Sequence, residues 1–254
     1  MQTSTIMKRI VLILGILVSL AAAQIVFGQA TEGVIQYEVK INMHRTLPKE
    51  RQEMKSMIPE FRTTKQQLFF NANESFYKAV EEDEIEDEAT EHGGGGVRMR
   101  FQQPQVEIYF NQAEEKRITQ QEFMGKEYLI EDSVKLSPWK FGTEIKTVMG
   151  YECKQAMYYN EERQQDVVAW YTIQLRPFLG PESFNTLPGA VLEVDLNNGE
   201  RVLTAKSIEA RPLKKNEIKT PNKGTKTTRA EFRKMMDQQM ERMRANGANV
   251  IIRN

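Results

Sequence analysis

Residues 180–199, with the sequence GPESFNTLPGAVLEVDLNNG, constrain the fold of this chain more than any other stretch. Two proline-containing turns, at 180–181 and 187–189, come before a run of alternating apolar and polar residues, which is typical of a half-buried β-strand. Asn197-Asn198-Gly199 follows, and these residue types tolerate the positive φ that a tight hairpin turn requires. The stretch therefore predicts a strand framed by turns, with one face formed by Ala190, Leu192, Val194 and Leu196, and the other by Val191, Glu193 and Asp195.

The turn at Leu187-Pro188-Gly189 is predicted to be architectural rather than catalytic. Pro188 fixes φ near about −65°, which suits the second position of a β-turn. Gly189 is expected to supply the positive φ of the third position in a type II turn. Leu187 precedes proline, so we expect it to be extended and to place its side chain in the core. On this interpretation a valine at position 189 would be costly and an alanine milder.

Strand signals recur along the rest of the chain with regular spacing. Ile35, Tyr37, Val39 and Ile41 alternate on one face of the first strand. Because no helices separate most of these signals, the pattern predicts a mainly β protein whose antiparallel sheet curls into an open barrel or a sandwich. The other predicted strands are 67–70, 75–78, 97–101, 106–110, 116–120, 126–130, 151–159, 167–173 and 201–210, with turns at 71–74, 112–114, 124–125 and 160–165.

Two helices are predicted at the margins of the sheet. A short helix near 48–58 can open at Pro48 and must stop at Pro59. A C-terminal amphipathic helix over 227–246 begins with capping-box spacing between Thr228 and Glu231, and we expect it to pack on the β domain. A basic linker, 211–226, would connect it to that domain. Its predicted apolar face consists of Phe232, Met235, Met236, Met240 and Met243.

The first 28 residues predict a Sec-type signal peptide. Lys8 and Arg9 form a basic region, the apolar segment 10–20 follows, and small residues occur at 21–23 and at Gly28. Cleavage after Gly28 fits best and cleavage after Ala23 is the alternative. An uncleaved anchor is disfavoured because the apolar segment is shorter than the ~20 residues of a spanning helix. We therefore expect a β domain over 29–210, no stable membrane span after cleavage, and a periplasmic, outer-membrane-associated or extracellular location.

The net charge of the chain disfavours nucleic acid as a partner. Removing Lys8 and Arg9 takes two of the 35 basic side chains and leaves 35 acidic ones, so the exported chain carries a net charge near −2 and is not predicted to bind nucleic acid. Residues 81–96 combine a dense acidic run with four glycines, which predicts a flexible, solvated loop. A cation site is the alternative there, although the EF-hand pattern is absent.

No catalytic motif is evident, and no cofactor or metal site is predicted. Cys153 is the single cysteine, so an internal disulfide is impossible and a small buried apolar role is expected. His44 and His92 are the two histidines, and His92 lies in the predicted flexible loop. The methionines of the C-terminal helix favour packing over a copper site, which stays an alternative.

Five blocks between 139 and 191 resemble the GLPGLI family, exported proteins of Bacteroidota named for a six-residue motif. Here that motif reads TLPGAV over 186–191, so Thr186 stands in place of a glycine. The resemblance implies an envelope protein with a β-rich fold and structural roles for the motif residues, and it implies no activity. The blocks, in the family's order, are Trp139-Lys140, Gly150-Tyr151-Glu152-Cys153-Lys154-Gln155-Ala156, Ala169-Trp170-Tyr171, Gly180-Pro181 and Leu187-Pro188-Gly189.

Three functions are compatible with these patterns. The first is a non-catalytic periplasmic or surface module that binds a hydrophobic ligand or a cell-envelope protein, because a curled sheet beside a helix offers a concave site. The second is a hydrolase with an unrecognised carboxylate site. The third is a metal-handling protein that uses methionines. Aromatic residues that could line a cleft are Trp139, Tyr151, Trp170 and Tyr171.

Overall fold

The computed structural model describes residues 31–80 and 105–245. The predicted signal peptide, the acidic loop 81–96, the strand 97–101 and the last residue of the C-terminal helix lie outside the described residues. The strands within them are β1 (Gly33–Asn42), β2 (Phe61–Phe70), β3 (Glu74–Ala79), β4 (Val106–Asn111), β5 (Lys116–Phe123), β6 (Lys126–Ser133), β7 (Lys140–Val148), β8 (Tyr151–Asn160), β9 (Gln165–Thr172), β10 (Ala190–Leu196), β11 (Arg201–Ala210) and β12 (Thr225–Thr227).

The described strands form one open sheet in the order β12-β6-β5-β4-β3-β2-β1-β11-β10-β9-β8-β7. Neighbours pair antiparallel except β12, which runs parallel to β6. The prediction of a mainly β, antiparallel fold is therefore confirmed. The helices are α1 (Met43–Thr46), a 3-10 helix (Lys49–Met57) where a helix was expected near 48–58, and α2 (Arg229–Ala245). None of these helices is long and apolar enough to span a membrane.

The sheet is curled, so that strands far apart in its order share one core. A first cluster of buried side chains contains Tyr77 from β3 and Cys153 from β8, with Ile108 of β4 packed against it. Six strands separate β4 from β8, and a flat sheet would hold them roughly 34 Å apart at the usual spacing of neighbouring strands. Their common cluster therefore requires the two halves of the sheet to bend toward each other.

The segment between β9 and β10, residues 173–189, fills the space inside this bend, and we call it the core loop. Leu175 and Leu179 belong to the first cluster. Phe184 and Leu187 belong to a second cluster, which is continued by strands β8 to β11. Leu187 is completely buried, as predicted from its position before proline. Of the residues in two of the sequence blocks quoted above, Gly180, Pro181, Leu187 and Gly189 are buried and Pro188 is exposed.

Strand β10 does not keep the single apolar face that was predicted for it. Its register against β9 shifts between Val191 and Glu193, so Leu192 is an extra, bulged residue. Leu192 belongs to the first cluster, whereas Val194 and Val191 belong to the second. The prediction of one face running from 190 to 196 was wrong because a bulge reverses the alternation of side chains beyond it.

Gly189 also differs from expectation, because its φ lies outside the positive range that a type II turn would need. The glycine is required for a different reason. A Cβ atom at this position would lie 2.7 Å from the carbonyl carbon of Thr172, closer still to its oxygen, and 3.1 Å from the Tyr171 ring. The backbone of residue 189 therefore packs directly on the end of β9, and even alanine does not fit. Gly150, by contrast, does adopt positive φ, with Met149, in the β7–β8 turn.

The convex face of the sheet is covered by the residues that were predicted as a basic linker. Val34 and Phe69 alternate with first-cluster residues along β1 and β2, so their own, third cluster lies on the opposite face. Leu213 and Ile218 pack against this third cluster.

Strand β12 and the edge strand β7 were not predicted. The residues of β7 do not alternate between buried and exposed, and even its apolar Phe141 is 62% exposed.

Helix α2 begins as predicted. Thr228 Oγ1 accepts a hydrogen bond from the Glu231 amide at 3.2 Å, and a Glu231 carboxylate oxygen accepts one from the Thr228 amide at 3.0 Å, which is a capping box. Phe232 is buried against Phe123 and Tyr128, with ring centroids 5.9 and 5.2 Å away. Met235, Met236 and Met240 are half-buried, and the side chain of Met243 lies outside the described residues.

Candidate functional site

The four aromatic residues predicted to line a cleft do not lie together. Trp170 and Tyr171 are neighbours on β9 and therefore point to opposite faces of the sheet. Trp170 belongs to the first cluster with Tyr151 packed against it, whereas Tyr171 belongs to the second cluster with Trp139. The two β9 aromatics are buried and serve the core.

Trp139 connects two of the family-like sequence blocks. Its Nε1 donates a hydrogen bond to Thr186 Oγ1 at 2.9 Å. Its ring meets Tyr158 edge to face, with centroids 4.6 Å apart. Thr186, which stands where the motif has a glycine, is buried, and its hydroxyl accepts a hydrogen bond that a glycine could not accept. Trp139 and Tyr158 are half-buried.

A group of charged side chains on the concave side, which we call the arginine cleft, was not predicted. It collects side chains from both halves of the curled sheet, the core loop and α2. The arginines influence one another electrostatically, and three carboxylates, Asp132, Glu162 and Glu182, lie among them. The five arginines are Arg117 on β5, Arg163 in the β8–β9 turn, Arg201 on β11, and Arg229 and Arg233 on α2.

Arg117 lies on the concave face because of its register. It pairs with Phe110 of β4 and Asp132 of β6, and residues paired across strands share a face. Its Nη2 donates to Asn185 Oδ1 in the core loop at 2.7 Å. Asn185 is itself buried. This hydrogen bond joins β5 to the core loop, which connects β9 and β10 on the other side of the sheet order.

The three carboxylates of the cleft are already engaged by other arginines. Arg201 makes a bidentate pair with Glu182 of the core loop. Arg229 Nε lies 3.0 Å from Asp132 Oδ2. Its Nη2 donates to Thr119 Oγ1 at 3.1 Å. Arg233 contacts Glu162 at 2.7 Å, so α2 is tied across the cleft to β6 and to the β8–β9 turn.

Arg117 is consequently a cation without an anionic partner. Among the described residues no carboxylate lies within ion-pair distance of it, and its buried Nε has no hydrogen-bond acceptor. Burial, and to a smaller extent the nearby charge of Arg229, lower the pKa of the Arg117 guanidinium to about 10 against the opposing charge of Asp132. A charge that has lost water without gaining a counter-charge is costly, so an anion would be stabilised here.

Two further polar groups near Arg117 also lack a partner. Arg163 is exposed as a whole residue, but partial loss of water around its guanidinium lowers its pKa. The positive charges of Arg229 and Arg201 lower this pKa as well, whereas the negative charge of Glu182 raises it. No carboxylate of the described residues forms an ion pair with Arg163. The Tyr77 hydroxyl, on the same concave face, is buried without a partner and lies within electrostatic range of Glu182.

The carboxylates of the arginine cleft all have arginine partners. Its carboxylates are paired with guanidinium groups rather than with one another, which is unlike the carboxylate pairs of hydrolases. Within residues 31–80 and 105–245 there is no cluster of three or more histidine, cysteine or acidic side chains that could hold a metal ion.

Cys153 is buried in the first cluster, as expected for a small apolar residue. Burial raises the pKa of its thiol to about 11. At pH 8 the thiolate fraction is then roughly a hundredfold lower than for a thiol of ordinary pKa, so a nucleophilic role has no support.

The folded protein is therefore expected to resist thiol labelling. We expect a disulfide reagent at pH 8 to modify Cys153 at least a hundredfold more slowly in the native protein than in urea, where the thiol regains water and its ordinary pKa. The rate of absorbance change of the released thiol measures both states. Equal rates in the two states would contradict the burial described here.

No protein-family model matches the chain, and no curated protein matches it either. Twelve chains of solved structures do. They include the structure of PNGF-II in the P21 space group, with a TM-score of 0.55, 14% identity, and coverage of 82% of this chain and 34% of that one. The structure of PNGF-II in the C2 space group gives a TM-score of 0.54, 15% identity, and coverage of 82% and 33%. The chain thus spans about a third of the length of PNGF-II, and at this identity the likeness concerns the fold alone.

Proposed function

We propose that this chain is an exported, non-catalytic binding module of the GLPGLI family that binds an anionic ligand in the arginine cleft. The observation that carries the proposal is Arg117, a half-buried cation whose buried Nε has no acceptor, whose hydrogen-bond partner is neutral, and which has no carboxylate partner among the described residues. Buried charges in proteins are normally paired, and a ligand anion would supply the missing charge. Five arginines against three carboxylates also leave the cleft with an excess of positive charge.

The charged side chains of the arginine cleft favour an anionic ligand over the hydrophobic ligand expected from the sequence. A hydrophobic ligand was expected on the concave face, but the core loop occupies the apolar part of that face through Leu175, Leu179 and Phe184. The side chains of the arginine cleft, which lie beside the core loop, are polar and basic. An anionic component of the cell envelope, or an envelope protein with an acidic segment, fits this surface better than an apolar molecule does.

The exported location and the family rest on the sequence, and the fold is compatible with both. The basic and apolar pattern of the first 28 residues supports export. The Trp139–Thr186 hydrogen bond and the burial of Leu187 give structural roles to blocks shared with the family.

We expect citrate, a compact anion with three carboxylates, to bind the purified protein and to raise its melting temperature. Arg117→Gln should weaken this binding at least tenfold, because a charge-assisted hydrogen bond is worth about 1.5–3 kcal/mol. The same variant should stay folded without ligand, because the lost hydrogen bond to buried Asn185 is offset by the removal of a charge that has no carboxylate partner among the described residues. Isothermal titration calorimetry and thermal melts measure the two effects.

Arg211→Gln is the matched control. Arg211 is already held bidentately by Glu217, in the segment that covers the convex face, so its loss should leave citrate binding unchanged. The proposal fails if citrate does not bind, or if the Arg117 and Arg211 variants bind it equally well.

A further inference from the structure

We infer that this protein forms a symmetric dimer in which the free edge of β7 pairs with the same edge of a second copy. The contact uses no residue of the arginine cleft. Strand β7 is one end of the sheet and pairs only with β8 among the described strands. The strand at the other end, β12, has only three residues. The nine-residue β7 therefore presents the longer row of backbone N–H and C=O groups that another strand can pair with.

The apolar side chains of this edge are exposed. Phe141 and Ile145 are 62% and 60% exposed, and Met149, in the turn that follows, is 47% exposed. Strand β7 is bulged between Phe141, which pairs with Ala156, and Ile145, which pairs with Lys154. Both intervals are even, so Phe141 and Ile145 still lie on one face of the sheet. A free strand edge with exposed apolar side chains is a typical site of association with another chain.

The charges of β7 select a second copy as the partner and also select its register. In an antiparallel pair with two-fold symmetry, one residue lies opposite itself. A pair centred on Glu144 or on Lys146 would place like charges opposite each other, which is unfavourable. A pair centred on Ile145 places Glu144 of each copy opposite Lys146 of the other. It also places the two Ile145 side chains together and Phe141 beside the exposed Met149.

Both charged side chains have capacity for this contact. Lys146 pairs with Glu193 of β10, but its side chain is 34% exposed and an ammonium group has three donors. Glu144 is exposed, and within the described part of the chain only its Oε2 accepts a hydrogen bond, from Gln155 Nε2 at 3.2 Å. An unrelated strand would need a matching order of charges to pair here, whereas a second copy supplies that order by symmetry.

Sedimentation velocity of the full protein at about 1–300 µM tests the dimer. We expect a dimer whose population rises with concentration. Ile145→Lys should weaken dimerisation by about a hundredfold, because it removes the central apolar contact and places two ammonium groups opposite each other. The variant should still fold, since Ile145 is largely exposed. The matched control is Met124→Lys, at a turn residue between β5 and β6 that is 53% exposed, and it should dimerise like wild type.

Disulfide cross-linking tests the register. Ile145→Cys should form a disulfide between two copies under mild oxidation, because residues directly opposite each other have Cα atoms about 4.5–5.5 Å apart. Thr147→Cys is the control and should not cross-link, since this register separates the two copies of residue 147 by roughly 13 Å. The native Cys153 is buried, so it should not compete. Electrophoresis without reductant separates the linked and unlinked chains.

Three results would overturn the inference. They are a monomer over the whole concentration range, a dimer that Ile145→Lys leaves intact, and cross-linking at position 147 in place of position 145. None of these results bears on citrate binding, so the proposed anion site is tested separately.

Discussion

Gly189→Ala is expected to lower the melting temperature by roughly 6–12 °C, which corresponds to a loss of about 3 kcal/mol in the free energy of unfolding. The added methyl group would lie 2.7 Å from the Thr172 carbonyl carbon, which is backbone at the end of β9 and cannot rotate away. Either β9 or the core loop must shift, and both carry buried side chains. Circular dichroism melts of the purified variant measure the change.

Gly150→Ala is the control for this substitution. Gly150 has φ of +81°, so alanine there is strained, but no atom lies within 4 Å of the position that the methyl would occupy. Backbone strain alone costs about 1 kcal/mol. If the two variants melt at the same temperature, then close packing is not the reason for glycine at 189.

The alternation of apolar residues was sufficient to predict most of the sheet. Ile35, Tyr37 and Val39 each lie in the core, and β1 (Gly33–Asn42) contains the whole of the predicted pattern, 35–41. Alternation works over 35–41 because the residues between the apolar ones are polar and less buried. It fails on β7, an edge strand whose residues are largely exposed on both faces, and on β12, which has three residues.

The role of Gly189 illustrates a second limit. The sequence Leu187-Pro188-Gly189 indicated a turn, and Leu187 is buried as expected. Turn chemistry, however, describes φ and ψ within a few residues, whereas the constraint on Gly189 comes from Thr172 on the preceding strand. A contact of this kind depends on how the core loop folds back, which local propensities do not report.

The arginine cleft was beyond sequence reasoning for the same reason. Arg117 and Asn185 are 68 positions apart, and their hydrogen bond forms because the sheet bends and the core loop crosses it. One local signal was available. Arg117 and Thr119 occupy positions on β5 that share a face with apolar residues of β3 and β4, and polar residues at such positions indicate a site or a network.

Leu187→Ala should strongly destabilise the protein. Leu187 is completely buried in the second cluster, and removing a buried leucine side chain costs about 2–5 kcal/mol because it leaves a cavity. Leu136→Ala should change stability by less than about 0.5 kcal/mol, since Leu136 is 72% exposed. Urea unfolding followed by fluorescence gives both values.

Leu187→Ala also tests whether the core loop positions the side chains of the arginine cleft. Leu187 follows Asn185 and Thr186, which hold Arg117 and Trp139. A cavity under this segment should loosen those two hydrogen bonds, so citrate binding should weaken under conditions in which the variant is still folded. If Leu187→Ala loses stability as expected but binds citrate with unchanged affinity, then the cleft is held by strands β5 and β8 without help from the core loop.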